Sequence, residues 1–183
     1  MKEMTPLNVA GRLRGMPVLP PDTNEKLGEV WDVLVHPTEG RVLGLILHTS
    51  AGEERVLAMG DFLILSTEET VRAGGGRLTE IEKLSDGLAN GVAACHELIG
   101  ASVVTEAGKL LGRVCEVHIF VERPLVIYRV AASGWQRFFG SGFFMAGDVP
   151  YAYSREGARL IVPAWTGDLE AASSLTEAIE TLI

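Results

Sequence analysis

Two short strings place thiols beside imidazoles: Cys95 and His96 in "ACHEL", and Cys115 and His118 in "CEVH". Four such side chains are the ligand set of structural zinc, which holds them tetrahedrally at about 2.0–2.3 Å. The second string argues against a shared ion. Cys115 and His118 lie three residues apart in "RVCEVHIFV", which reads as a β-strand, and alternation sends them to opposite faces, Cys115 to the core and His118 to the surface. No metal or cofactor site is assigned on this pattern. Neither cysteine stands in a nucleophile setting, there is no G-x-S-x-G elbow, and the scattered acids do not define a carboxylate pair. "AGGGRLTEIEK" has glycines before a helix start, which can cradle an anion, but it lacks the Walker A spacing and reads as a linker. The chain is expected not to be an enzyme, with no catalytic residue assigned.

The remaining chemistry is that of contact. "SGWQRFFGSGFFMAGD", residues 133–148, crowds aromatics into a glycine-punctuated connection, and Trp135, Arg137, Phe138 and Phe139 are its candidate partner-binding residues. The same rings can instead pack into the core or between the halves, and Phe143 to Met145 should enter the next strand. Arg137 can stack on a base, but one arginine does not make a nucleic-acid surface. Trp31 alternates with Val33 and Val35 and is expected to be buried; Asp61 and Asp148, each after a glycine, are expected in turns.

These residues are carried by a sequence that repeats. Leu13, Gly15 and Val18 recur 85 residues later as Leu98, Gly100 and Val103. Leu27, Gly28, Val30 and Val33 recur 84 residues later as Leu111, Gly112, Val114 and Val117, with the acids Asp32 and Glu116 also aligned. Shared order makes duplication the better explanation. Each copy is rich in β-branched and apolar residues: "EVWDVLV", "RVLGLILHT" and "ERVLAMG" in the first, "RVCEVHIFV", "LVIYRVAA", "FFMAGDVPYAY" and "ARLIVP" in the second. "PTEG" supplies the turn of a hairpin between Val35 and Val42, and "VERP" replaces it in the second copy, where Pro124 belongs at a strand start or edge. Short strands in units of about 80 residues favour small barrels, because closure removes exposed edges.

The expected organisation is all-β with minor helix: a first barrel over residues 5–73, a linker over 74–95, a second barrel over 96–166 and a C-terminal helix over 167–183. In that last segment Asp168 can cap, and Leu169, Ala172, Leu175, Ile179 and Leu182 fall largely on one face. With 47% hydrophobic residues the 183-residue chain can bury a core, so disorder is not expected. Its 24 acidic and 16 basic residues leave a net charge of −8, which opposes broad affinity for a phosphate backbone but permits a local basic patch. There is no secretory h-region and no apolar run of about 20 residues, so transmembrane insertion is not expected; with two scattered cysteines expected to be reduced, the expected compartment is the cytoplasm.

The run "L.G..V", then "LGEVWDVLV.P.EGRVLGLIL" and "GDFLIL", resembles the PRC-barrel family, the small β-barrel of the photosynthetic reaction centre H subunit and of ribosome maturation proteins. "LIGASVV", "LLGRVCEV", "PLVIYRV" and "AGDVPYAYS..GARLIVP" look like a second such domain. The resemblance implies a tandem pair of adapter-like barrels that engage proteins or protein–RNA assemblies, with no enzyme activity or cofactor belonging to the module itself. Three readings follow: a protein-binding adapter or assembly protein of unidentified partner, with homo-oligomers allowed; an RNA- or ribosome-associated maturation factor, which needs Arg123, Arg129 and Arg137 to cluster; and a peripheral subunit of a membrane-associated complex, which needs the face at residues 169–182 exposed.

Overall fold

The computed structural model describes residues 7–60, 62–65, 69–74, 78–80, 91–120, 125–133 and 142–167. The first half contributes β1 (Leu7–Asn8), β2 (Pro17–Leu19), β3 (Gly28–His36), β4 (Arg41–Thr49), β5 (Glu54–Ala58), β6 (Phe62–Leu65) and β7 (Thr70–Ala73). The second contributes β8 (Ala93–Ala94), β9 (Ser102–Thr105), β10 (Leu110–Phe120), β11 (Leu125–Ala132), β12 (Gly142–Ala146), β13 (Ala152–Ser154) and β14 (Arg159–Val162). Helical structure among the described residues is slight: a π-helical turn at Val9–Leu13, a helix at Cys95–Leu98 and a 3-10 turn at Ala164–Gly167. The protein is all-β, and no helix among the described residues is long and apolar enough to cross a membrane.

The two halves pair their strands in the same way. In the first, β2, β3, β4 and β5 pair antiparallel in sequence, and β7, itself paired with β6, runs parallel to β2. In the second, β9, β10, β11 and β12 do the same, and β14, paired with β13, runs parallel to β9. The hairpin between β3 and β4 turns at residues 37–40, where Gly40 has φ +62° and donates its N–H to His36 O at 3.0 Å. A glycine is needed there twice over, because a Cβ on Gly40 would also stand 2.7 Å from the backbone of Gly147 and Asp148 in the other half.

Several contacts among the described residues join the halves, and strand pairings make them one sheet. Leu125 of β11 pairs with Arg41 of β4, and the Tyr128 hydroxyl donates to Pro37 O at 3.2 Å. Two further pairings are exchanged: β1 pairs with β10 of the second half, and β8 pairs with β3 of the first. Within residues 74–95, Thr79 also bridges Val56 and Leu78 packs on the core, while residues 81–90 lie outside the described set. Val30, Val33, Leu45 and Leu47 belong to the same buried cluster as Val114, Val117, Val126 and Tyr128. Burying one Val or Leu is worth about 1.5–3 kcal/mol, so this shared cluster outweighs the few hydrogen bonds between the halves in holding them together.

A candidate interaction surface at two repeated bulges

Trp31 is exposed, contrary to the expectation from alternation, and a β-bulge is the reason. Val30 pairs with Leu47 and Asp32 with Ile46, so Trp31 has no partner on β4 and the alternation resets after it. Val30 is buried before the bulge, and Asp32, Val33, Leu34 and Val35 are all buried after it, while Trp31 is left 37% exposed. Its neighbours hold the ring. The Arg14 guanidinium carbon lies 4.7 Å from the ring centroid and Arg14 Nε donates to Trp31 O at 2.9 Å. His48 stacks on the indole at 4.6 Å with 13° between planes, and its Nε2 meets Glu54 Oε1 at 3.1 Å. An exposed cation–π contact contributes about 0.5–1 kcal/mol, enough to favour one rotamer of a surface ring.

Asp32, the next residue, is 0% exposed. Its Oδ1 accepts from Val33 N at 2.7 Å; its Oδ2 accepts from His96 N at 3.0 Å and from His96 Nδ1 at 2.6 Å, with Arg14 at 3.6 Å. Because a carboxylate only accepts, the proton of that ring bond sits on Nδ1. The pair has the chemistry of an orienting acid and a base, but its geometry fastens the Cys95–Leu98 helix of the second half to β3 of the first. Burial, and after it the Asp32 charge, pushes the adjacent Cys95 thiol well above the ordinary thiol range, which disfavours its thiolate.

The second half repeats the device at the same place in the repeat. Val114 pairs with Val130 and Glu116 with Arg129, so Cys115, aligned with Trp31, is the bulged residue. Cys115 is exposed with its Sγ donating to Arg129 O at 3.3 Å, and His118 is 8% exposed. The expectation of a core cysteine and a surface histidine is thus reversed: the bulge turns Cys115 out, while His118 keeps the face opposite Val117 and Ile119 and is buried there beside Glu116 and Phe144. Glu116 Oε2 accepts from Asn8 Nδ2 at 3.2 Å and from His118 Nε2 at 3.0 Å, and Oε1 accepts from Arg129. Partial burial pushes the Glu116 carboxyl up, but the bonds and charges of Arg129 and His118 outweigh it and leave it below the usual carboxylate range.

Trp135, Arg137, Phe138 and Phe139 lie outside the described residues, as do Arg123, Pro124, Asp61 and the segment from Asp168 to Ile183. Phe143 and Phe144 are in β12, half-buried, with Phe143 against the core and Phe144 edge-on to His118 at 6.0 Å. Asp148 is in a turn. The cysteines and histidines do not converge: Cys95 is buried, His96 is bound to Asp32, and Cys115 and His118 engage Arg129 and Glu116. Among the described residues no group of three or more His, Cys, Asp or Glu is placed to hold a metal ion. Many of the cations are committed, Arg41 to Glu39, Arg55 to Glu53 at 2.8 Å, Arg129 to Glu116 and Arg155 to Glu97 at 3.3 Å. A shallow groove of about 540 Å³ between Pro20, Leu27, Thr49 and Leu78 is lined by two cations already paired, Lys26 with Glu29 and Arg55 with Glu53.

Sequence reasoning missed Trp31, Arg14 and His48. The signal available was the acid aligned in both copies, Asp32 and Glu116, which alternation would place on the face opposite Val33 and which the fold turns toward the other half. No curated protein matches the chain. Residues 10–79, from within the π-helical turn past β7 to the bridge at Thr79, match the family model of the PRC-barrel domain.

Proposed function

We propose that the chain is a non-enzymatic adapter or assembly protein that binds other proteins, built as two PRC-like barrels in tandem over residues 5–73 and 96–166. The observation that carries this reading is the Trp31 platform, an exposed indole held by Arg14 and His48 on a backbone bulge. Tryptophan and arginine dominate binding hot spots, and a ring biased toward one rotamer loses less entropy when a partner covers it. The full commitment of buried Asp32 to the N–H groups of Val33 and of the exposed His96 supports a structural over a catalytic part for this Asp–His pair. Cations paired with carboxylates support a protein partner over nucleic acid. The segment of Trp135, Arg137, Phe138 and Phe139 is a second contact surface in the same proposal. A reducing compartment such as the cytoplasm suits the two free cysteines.

The test is affinity capture from the native cell lysate with wild type, Trp31→Ala and Trp135→Ala/Phe139→Ala, each with and without nuclease. A protein recovered by wild type despite nuclease, and lost by Trp31→Ala at an unchanged Tm, is the expected result. Recovery of ribosomal components that nuclease abolishes would replace the adapter with the ribosome-associated factor. Recovery untouched by either variant would remove both surfaces.

A further inference from the structure

We propose that the outer edge of β10 at His118–Ile119 is a strand-accepting site, occupied in the closed molecule by residues 7–8 and opened when an extended segment of a partner protein displaces them. The proposal rests on the protein-binding reading and adds where the partner docks and what it must look like.

Each of the two long strands has one edge paired along its length with the next strand of its own half, β4 on β3 and β11 on β10. The opposite edge is filled in two pieces. Near the strand's start the piece is local, β2 on Gly28 and Glu29 and β9 on residues from Leu110 to Arg113. Near its end the piece comes from the other half: Ala93 and Ala94 lie against Val35 and Leu34, and Leu7 and Asn8 lie against Ile119 and His118. Val35 and Ile119 are 84 residues apart, so this is one acceptor position seen twice. It takes two dissimilar dipeptides, Leu-Asn and Ala-Ala, both antiparallel and each leading directly into a helical turn. What the occupants share is backbone pairing; the acid after the bulge receives an N–H donor at both junctions, from the occupant itself at one, Asn8 Nδ2 to Glu116, and from two residues past the occupant at the other, His96 N and Nδ1 to Asp32. A site read through main-chain bonds and one side-chain donor is the logic of β-strand addition, which tolerates varied sequences.

The β10 site is the one that opens. Asp32 is fully buried and would be left without two of its donors if His96 withdrew. Glu116 has 31% of its side chain exposed and keeps Arg129 and His118 when Asn8 leaves. Leu7 is 3% exposed, so its departure empties an apolar seat that a partner side chain must refill. The occupant is therefore an extended segment with an apolar residue at the Leu7 position followed by asparagine or another N–H donor at the Asn8 position.

The probe is a fluorescein-labelled peptide, TPLNVAGRLRG, which copies residues 5–15 and carries the turn needed to take the whole seat of the resident segment. It is titrated by anisotropy into the full-length chain, as wild type and as Leu7→Asp/Asn8→Asp, which sets two carboxylates against an apolar seat and Glu116. Expected are at least tenfold tighter binding to the double variant than to wild type, shifts of the His118 and Ile119 amide signals, and no binding of the peptide TPDDVAGRLRG. If the double variant loses cooperative unfolding, Asn8→Ala replaces it under the same criterion of a measurable gain over wild type. A folded variant that binds the peptide no better than wild type, or binds both peptides alike, overturns the site. Because no lysate partner is involved, that failure leaves the Trp31-dependent capture standing, and loss of the capture leaves this result standing.

Discussion

Asp32 and Glu116 stand at the same repeat position, one residue after the same bulge, and each receives a side chain from the opening segment of the other half. Their surroundings differ. The shorter acid is wholly buried and meets two backbone N–H groups and an imidazole; the longer one reaches toward the surface and shares its oxygens among Arg129, His118 and Asn8. One extra methylene moves the carboxylate from a place where water cannot replace a lost partner to one where it can. The comparison teaches that the two junctions, though related by the repeat, carry unequal shares of the stability between the halves.

Removing the buried acid should have the largest effect. Asp32→Ala leaves the N–H of buried Val33 without its acceptor and releases the half-exposed His96 from β3; an unmet buried donor costs about 1–3 kcal/mol, and the lost charged bonds to His96 add to it. Because folded domains are stable by only about 5–15 kcal/mol, that is a large share of the total, and the urea midpoint of this variant should fall further than that of any other substitution named here. Asp32→Asn is the sharper variant. Both carboxylate oxygens accept from N–H donors, so whichever way the amide is turned its NH2 faces another donor, and at least about 1.5 kcal/mol should still be lost. Full stability in Asp32→Asn would show that shape rather than acceptor capacity holds this junction.

Gly40→Ala tests the contact that lies between the two acids in the sheet. The residue is at φ +62°, and its Cβ would meet the backbone of Gly147 and Asp148 at 2.7 Å. Backbone cannot rotate away as a side chain can, so a loss of about 2–3 kcal/mol is expected. Gly52→Ala, at φ +80° with open space around its Cβ, is the control for the dihedral alone and should lose only about 1 kcal/mol. Equal losses would mean that the approach of the two halves at Gly40 is not tight.

Much of the fold was legible because strand formation here follows local density of β-branched residues and turn chemistry: "PTEG" becomes the 37–40 turn, and "LVIYRV" and "ARLIV" become β11 and β14. The site was less legible. Alternation has period two and is blind to an inserted residue, so a bulge between Val30 and Asp32 misplaced Trp31, and its repeat between Val114 and Glu116 misplaced Cys115; His118 kept its face, and what alternation could not show is that Phe144 and Glu116 cover it there. The exchange of β1 and β8 between halves was also invisible, since a two-residue strand has no periodicity to detect. What the sequence did offer was Asp32 aligned with Glu116, an acid amid apolar strand residues in both copies, whose reason is the donor that each receives from across the halves.

The buried side of the comparison should also appear at alkaline pH. Burial pushes both the Cys95 thiol and the Tyr128 hydroxyl above their ordinary values. In the unfolded chain these groups ionise near pH 8.5 and 10, while the folded chain keeps them protonated. Their contribution is thus complete below about pH 8 and declines as pH rises toward the folded values. Tyr128→Phe gives up the bond to Pro37 O, costing about 1 kcal/mol at pH 7, and should lose less further stability than wild type between about pH 9.5 and 11. Parallel pH curves for the two proteins would exclude Tyr128 as a source of the decline.

Glu116→Gln should give the smallest change and the one most sensitive to salt. The carboxylate is partly exposed and bonded to Arg129, His118 and Asn8, and pairs of this kind contribute about 0.2–1 kcal/mol. Its lowered acidity range means that the contribution is present above the unfolded value, about pH 4.3, and is lost as pH falls through the folded one. At about 1 M salt the screening length shortens to roughly 3 Å, so the difference between wild type and Glu116→Gln should shrink toward zero. The deficit of Asp32→Asn, which arises from unpaired buried donors rather than from exposed charge, should persist at that salt. If both deficits fell together, the two junctions would be alike in kind, and the greater stability assigned to the Asp32 side would have to come from the packing of Ala93 and Cys95 instead of from its carboxylate.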